Sequence, residues 1–384
     1  MAEPSLALTP QHVVGWDVGG AHIKACVSRD GQVLDVVQWP CPLWQGLQHL
    51  HSVLADAQRR WPALWQAQQV LTMTGEMTDL FPDRQQGVQA ISDAMAAALA
   101  APGSPGAGAH AGCEGTPLRL FAGPGQWRSV DQAGTHWADI ASANWLATAH
   151  HAARQFGDGV LVDIGSTTTD LIGFADGRVT LQGRSDVGRL ASGELVYQGV
   201  VRTPLCALGP RVRWQGQTLN LMNEFFATSA DVHRLLGLLP AEHDQHPAAD
   251  NGAKTAAATL TRLARMIGLD ARDGDDADWL ALAEHWRQAQ VAEIGGQLQR
   301  LLAVQPLRPG AVVVSAGCGD FLLPAVLAAA GVTADGGVPV RPYGQHLAPQ
   351  PAGPGAAAPR DIARWAQVAA PAVAVALLWQ QEHG

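Results

Sequence analysis

Asp17-Val18-Gly19-Gly20 and Asp163-Ile164-Gly165-Ser166-Thr167-Thr168 are the two stretches on which the fold turns. Each closes an apolar run, Val13 to Asp17 in the first case and Gly159 to Asp163 in the second. A strand that ends in Asp and runs into small residues sets a carboxylate, able to hold Mg²⁺ through water, beside bare backbone N–H donors for phosphate oxygens. Ser166, Thr167 and Thr168 add hydroxyl donors, and Asp163 is a second carboxylate for a metal or a proton. For either loop alone, an ordinary hairpin turn opened by a carboxylate is the competing reading.

Comparison of the two stretches favours duplication. Both blocks read as strand, small-residue turn, strand, Asp-Gly turn, strand, with Asp30-Gly31 and Asp176-Gly177 at the second turn. The offsets 163 − 17, 165 − 19 and 176 − 30 are all 146, so no gap is needed to align three signals. A repeated supersecondary unit, one per lobe, is the expectation. Facing each other across a cleft, the two loops would grip one polyphosphate.

Working outward, the first block is followed by helical patterns at Leu47 to Arg59 and Ile91 to Ala100, with a strand at Val70 to Thr74 between them. A Pro/Gly-rich break, Ala101 to Thr116, reads as a surface loop; a strand at Leu118 to Phe121 and a helix from Trp137 to Phe156 follow. After the second block come more sheet at Leu195 to Leu208 and helices at Ser229 to Leu238, Thr255 to Ile267 and Trp279 to Leu302. A third glycine loop, Ala316-Gly317-Cys318-Gly319-Asp320, joins a strand at Ala311 to Ser315 to a helix, a pattern suited to a phosphate or nucleotide shelf. Gly336-Gly337 and Pro349 to Pro359 are loops, and Arg360 to Gln381 is a closing helix. The expected class is α/β, a two-lobed actin-like fold with a duplicated ribonuclease H-like core and an interdomain cleft. Residues 1–156 form the first lobe, completed by 305–384, and residues 157–304 the second with a helical layer.

Composition narrows the partners. A chain of 384 residues is long enough for two buried sheets. With a net charge of −9 and no Lys/Arg cluster, it lacks the footprint of a nucleic-acid binder, whereas a small anion can still be held locally. The five cysteines are widely spaced with no C-x-x-C pair, and the histidines contain no ligand spacing, so no disulfide framework, zinc site or transition metal is expected. The first residues lack a signal-peptide pattern, and the apolar C-terminal stretch is interrupted by Pro371. A cytoplasmic protein with a docked C-terminal helix and no membrane partner is expected. Most of the tryptophans are assigned to packing.

Asp17-Val18-Gly19-Gly20-Ala21-His22-Ile23-Lys24, Asp163 to Asp170 and Ser315 to Asp320 resemble the phosphate 1, phosphate 2 and adenosine motifs of the actin, heat-shock chaperone and sugar-kinase superfamily. The third departs from the usual Gly-Gly-Gly pattern. Thr72 to Asp79, Ala143 to Ala147, Gly193 to Tyr197, Arg202-Thr203-Pro204, Ala227 to Val232 and Arg262 to Gly268 resemble the hydantoinase/oxoprolinase-related branch. Within that branch they are similar to the tetrahydromethanopterin-linked one-carbon-transfer proteins, which include a methanofuran-biosynthesis transferase.

The resemblance implies condensation of an aminomethylfuran-methyl diphosphate with a tyramine derivative, the phenol oxygen displacing diphosphate. It assigns Asp17 and Asp163 to Mg²⁺, and Gly19, Gly20, Gly165, Ser166, Thr167 and Thr168 to diphosphate oxygens. Lys24 and Asp170 occupy matching places in the repeat, each open to a cleft-facing role or a structural ion pair. Glu76 and Asp79 are candidates for the substrate ammonium or the phenol proton, with Thr78 or Asp79 as a helix cap the competing reading. Arg202 and Lys254 are candidate anion ligands, and Asn144 orients a polar substrate group or is a satisfied core amide. Gly317, Gly319 and Asp320 leave ATP or ADP binding open. An ATP-dependent kinase or amidohydrolase, and a non-catalytic actin-like scaffold, remain alternatives; the oligomeric state is not encoded in any motif.

Overall fold

Val13-Val14-Gly15-Trp16-Asp17-Val18 forms β1 (Val13–Val18), buried at every position. A strand buried on both faces belongs inside a sheet. In the computed structural model, which describes residues 6–100, 118–332, 337–347 and 359–384, β1 pairs antiparallel with β2 (His22–Arg29), and β2 with β3 (Gln32–Pro40). On its other side β1 runs parallel to β4 (Gln68–Met73), and β5 (Leu118–Phe121) and β6 (Trp127–Arg128) complete the order β3-β2-β1-β4-β5-β6.

The second sheet repeats this start. β7 (Gly159–Ile164) pairs antiparallel with β8 (Thr169–Ala175), and β9 (Arg178–Thr180) follows the Asp176-Gly177 turn. The repeat extends to single hydrogen bonds: Gly19 N–H donates to the His22 carbonyl at 3.0 Å, and Gly165 N–H to the Thr168 carbonyl at 2.8 Å. Asp17 faces Lys24 across its strand pair as Asp163 faces Asp170. Both Asp-Gly turns use the same left-handed pair, with φ of 52° and 74° at Asp30-Gly31 and 52° and 71° at Asp176-Gly177.

β10 (Leu195–Val196), β13 (Val312–Ala316) and β14 (Val340–Pro342) give the second sheet the order β10-β8-β7-β13-β14. β11 (Arg211–Trp214) and β12 (Gln217–Asn220) form a separate hairpin around Gln215-Gly216. Compactness divides the described residues into one unit within Met1–Gln155, Gly177–Val179 and Pro342–Gly384, and another within Phe156–Asp176 and Thr180–Arg341. The boundary expected at 305 is therefore corrected: the chain rejoins the first unit at Pro342. The apolar run at 312–316 is buried throughout and pairs in parallel with β7, and a parallel partner needs a long crossover, which residues 180–311 provide.

Several elements differ from the sequence reading. The helix expected from Trp137 to Phe156 is two, Trp137–Ile140 and Asn144–Phe156, separated where Ser142 adopts φ of 50°. The stretch expected as sheet at Leu195 to Leu208 holds only β10 and a short 3-10 turn, Leu205–Leu208. The helix at Arg84–Leu99 is capped by Asp83, whose side chain accepts from Gln86 N–H, so neither Thr78 nor Asp79 is its cap. The break at Ala101 to Thr116, with Cys113 inside it, as well as Gly336 and the loop residues 349–358, lie outside the described residues.

The closing helix is also two, Pro359–Val368 and Ala370–His383, bent by 98° with Pro371 in the first turn of the second. Its docking is as expected. Ala370–Leu378 is buried, and it approaches β1 so closely that a Cβ on Gly15 would stand 2.1 Å from the Ala372 carbonyl oxygen. Among the described residues no single helix is long and apolar enough to cross a membrane, and only this bent pair passes a length and composition test together. Tryptophans build cores in both units, with Trp61 edge-on to Trp16 and Trp39 in the first and Trp214 beside Trp279 in the second.

Candidate functional site

In the second unit, β7 delivers Asp163 and then turns through Gly165–Thr168. The turn is braced from behind: Val200 N–H donates to the Gly165 carbonyl at 3.0 Å, and Val201 and Arg202 N–H to the Ser166 carbonyl at 3.0 and 2.9 Å. Gly199 makes this bracing possible, because a Cβ there would sit 2.5 Å from the Ser166 carbonyl carbon and the Thr167 nitrogen. The Gly165 and Ser166 carbonyls are thus occupied, whereas the N–H groups of Ser166, Thr167 and Thr168 meet no acceptor among the described residues. Consecutive donors of this kind suit an anion.

Arg202 lies against the same loop, its guanidinium 3.4 Å from Thr167 Oγ1. Burial lowers its pKa from the usual arginine value and Tyr197 opposes the shift; the group stays a cation at any working pH. Lys254 pairs with Asp244, its Nζ 3.1 Å from Oδ1 and donating also to the Asp244 carbonyl. Burial, then the charges of Arg202 and Lys254, hold the His246 imidazole down to about 4, so both cations act on one neutral ring.

The third glycine loop belongs beside the second. Ala316 at the end of β13 is the register partner of Asp163, and Gly319 N–H donates to the Ile164 carbonyl at 2.8 Å. Gly317 has φ of 87°, and a Cβ there would stand 2.1 Å from Ile164 O and 2.6 Å from Asp163 Oδ1. Cys318 is buried and Asp320 exposed at the start of the turn Asp320–Leu322. The second unit therefore gathers Asp163, Gly165–Thr168, Arg202 and Gly317–Asp320. Asp170 is not part of this group: it forms an ion pair with buried Arg189 at 2.5 Å, the structural alternative of the two weighed for it.

In the first unit, Asp17 is buried, and Lys24 Nζ approaches its Oδ2 at 3.6 Å across the strand pair. Gly20 and Ala21, the counterparts of Ser166 and Thr167, also carry N–H groups with no acceptor among the described residues. Gly75 packs against the loop, with its missing Cβ 3.4 Å from the Gly19 carbonyl carbon, and Thr78 Cγ2 lies 2.8 Å from the missing Cβ of Gly20.

Glu76 and Asp79 separate at this point. The Glu76 side chain is 0% exposed, accepting from Ser142 Oγ at 2.8 Å with Arg84 at 3.5 Å, whereas Asp79 is exposed. Asn144 opens the helix after Ser142 and turns its Oδ1 to Trp145 N–H at 2.8 Å. Sequence reasoning missed Gly199, Ser142, Arg84 and Arg189, since a bracing glycine and a buried ion partner leave no spacing to read.

Among the described residues no group of three or more His, Cys, Asp or Glu side chains is set to hold a metal ion. Mg²⁺ asks for less, one or two carboxylates with water and phosphate oxygens supplying the rest. Asp163 fits that donor set: it stands where only glycine is tolerated at 317 and beside three N–H donors. Asp17 has a Gly-Gly turn in the same relation.

The chain is 29% identical over 259 residues to a (4-{4-[2-(gamma-L-glutamylamino)ethyl]phenoxymethyl}furan-2-yl)methanamine synthase of Methanocaldococcus jannaschii, covering 67% of this chain and 72% of the relative. It is 39% identical over 77 residues to the synthase of the same name from Methanococcus vannielii, covering 20% of this chain and 34% of the relative. A nucleotide-free acetone carboxylase structure superposes with a TM-score of 0.50 at 13% identity, over 83% of this chain and 66% of that one, a likeness of fold alone. The fold is the duplicated, two-unit actin-like α/β fold. The hydantoinase/oxoprolinase profile matches residues 68–342, a span that holds Gly75, the 165–168 loop, Arg202 and Gly317–Asp320, and the chain belongs to the hydantoinase/oxoprolinase family.

Proposed function

We propose that the protein is a transferase that joins a furfuryl-type diphosphate to the phenol oxygen of a tyramine derivative, releasing diphosphate and forming an aryl ether of the methanofuran type. The observation that carries the reading is the run of N–H donors at Ser166, Thr167 and Thr168 beside Asp163 and Arg202. The printed names of the two synthase relatives, which describe such a phenoxymethylfuran amine, support the choice of substrates.

In the proposed reaction the phenol oxygen forms a bond to the furfuryl carbon. The bond from that carbon to the diphosphate oxygen breaks, its electron pair leaves with diphosphate, and the phenol proton passes to a base. Asp79 is the proposed proton acceptor, because its carboxylate is exposed while that of Glu76 is held by Ser142 and Arg84. In the second unit the N–H groups of Ser166, Thr167 and Thr168, with Arg202, are proposed to receive phosphate oxygens, stabilising the charge that develops on the leaving group. In the first unit Gly20 and Ala21 N–H and Lys24 are proposed as phosphate ligands, whereas Gly19 and Gly165 N–H, also expected as ligands, are held by the His22 and Thr168 carbonyls. Asp17 and Asp163 are proposed to hold Mg²⁺ directly or through water; when bound, the ion would neutralise diphosphate charge. Lys254 and Asn144 are assigned to the polar tail of the tyramine substrate.

Purified protein incubated with Mg²⁺, the furan diphosphate and γ-glutamyltyramine should yield the coupled ether by mass spectrometry. Absence of the ether with verified substrates refutes the reading. A second reading, an ATP-dependent kinase or amidohydrolase, rests on the Gly317–Asp320 loop; Mg-ATP titration in a calorimeter should then show saturable heat.

A further inference from the structure

The 165–168 loop is held by the 199–202 segment, and that segment hangs on one carbonyl. Gly199 O accepts from Thr203 Oγ1 at 3.0 Å, Ser229 Oγ at 2.8 Å and Gln290 Nε2 at 2.9 Å. Thr203 and Ser229 are local to the segment or its neighbouring turn. Gln290 instead reaches in from the middle of the long helix Asp276–Val304, and it is completely buried.

The amide of Gln290 is itself oriented. Its Oε1 lies 2.9 Å from His233 Nε2, which must donate the proton because a carbonyl oxygen only accepts. Burial keeps this imidazole neutral, with its pKa down to about 4, so one tautomer serves across the working pH range. With Oε1 committed to His233, Nε2 is left to face Gly199. His233 also packs edge-on against Phe321, in the turn that begins at Asp320, with ring centroids 5.1 Å apart. The same helix touches the third loop's following helix, Leu323–Ala329, where a Cβ on Gly295 would stand 2.6 Å from Ala329 Cβ.

We infer that Gln290, aligned by His233, is a positioning residue that fixes the anion-binding loop at Gly165–Thr168 and ties it to the Gly317–Asp320 loop. The inference rests on the proposed function only in taking that loop as the diphosphate receptor. Gln290 touches no ligand in this scheme; it acts through Gly199, which sets the carbonyls of Gly165 and Ser166 and hence the direction of the following N–H groups.

The test is calorimetric titration of the full chain with Mg²⁺ and inorganic diphosphate, alongside thermal unfolding. Gln290→Met keeps the length of the side chain and removes the donor. Leu298→Ala, buried on the same helix, lowers stability without touching Gly199. The expected result is diphosphate affinity weakened about tenfold in Gln290→Met and unchanged in Leu298→Ala, at a Tm lowered in both. Equal affinity in wild type and Gln290→Met overturns the inference, as does an equal loss in Leu298→Ala. If the wild type itself does not bind diphosphate, the loop assignment fails first and the inference falls with it.

Discussion

Replacing Gly317 by Ala tests the geometry beside Asp163. The new Cβ would stand 2.1 Å from Ile164 O, 2.4 Å from Ile164 C and 2.6 Å from Asp163 Oδ1, and the backbone sits at φ of 87°. Gly310 has nearly the same φ, 85°, with nothing within 4 Å of its missing Cβ. Left-handed backbone costs an Ala about 1–2 kcal/mol at either position. Overpacking against backbone adds about 1–3 kcal/mol at 317 alone. For a unit of this size each kcal/mol lowers Tm by about 2–4 °C. Gly317→Ala should therefore lower the Tm of the second unit by about 4–20 °C, and Gly310→Ala by about 2–8 °C. Because the clash falls on the exit of β7, Gly317→Ala should also weaken diphosphate binding, measured by calorimetry, while Gly310→Ala leaves it unchanged. Equal Tm losses together with equal affinities would refute the reasoning.

Burial holds His151 and His233 down to about 4, against an ordinary 6.5, so the unfolded chain takes up their protons first. Their contribution to stability is intact above about pH 6.5 and lost as pH falls toward 4, and replacing both by Gln should shrink the loss of Tm between pH 7 and about pH 4.5. Arg262, 0% exposed, pairs with Asp231 at 2.8 Å, so Arg262→Ala should cost about 3–5 kcal/mol by chemical denaturation, since it strips a partner from a buried carboxylate. Glu76→Gln keeps the shape but not the charge that holds Ser142 and Arg84; a loss of about 1–2 kcal/mol in denaturant titration is expected. Asp79→Asn should leave Tm within about 1 °C, as an exposed position, and abolish most ether formation; retained activity removes it as the base.

The duplicated start was legible because every part of it is local. A strand, a small-residue turn and an Asp-Gly turn each leave a signal within a few residues, and the constant offset survives into the hydrogen bonds at Gly19 and Gly165. The third loop was legible for the same reason, but its place was not: a parallel partner such as β13 is chosen by tertiary packing, so the chain's return to the first unit was set too early. The break at Ser142 was hidden in an Ala-rich stretch with continuous helical preference, and only its positive φ and the bond to Glu76 explain it. Lys24 and Asp170 hold matching places in the repeat and both are ion-paired, Lys24 with Asp17 on the neighbouring strand and Asp170 with Arg189, nineteen residues beyond it, a partner that has no counterpart in the motif. Gln215-Gly216, with Val212 and Trp214 before it and Leu219 after it, is a hairpin signal of the same local kind.

The most direct measurement follows the oxygen. With γ-glutamyltyramine labelled with ¹⁸O at the phenol, displacement at the furfuryl carbon places the label in the ether and leaves the released diphosphate unlabelled. Label in a phosphorus-containing product, or no ether at all, would contradict carbon–oxygen displacement on this fold.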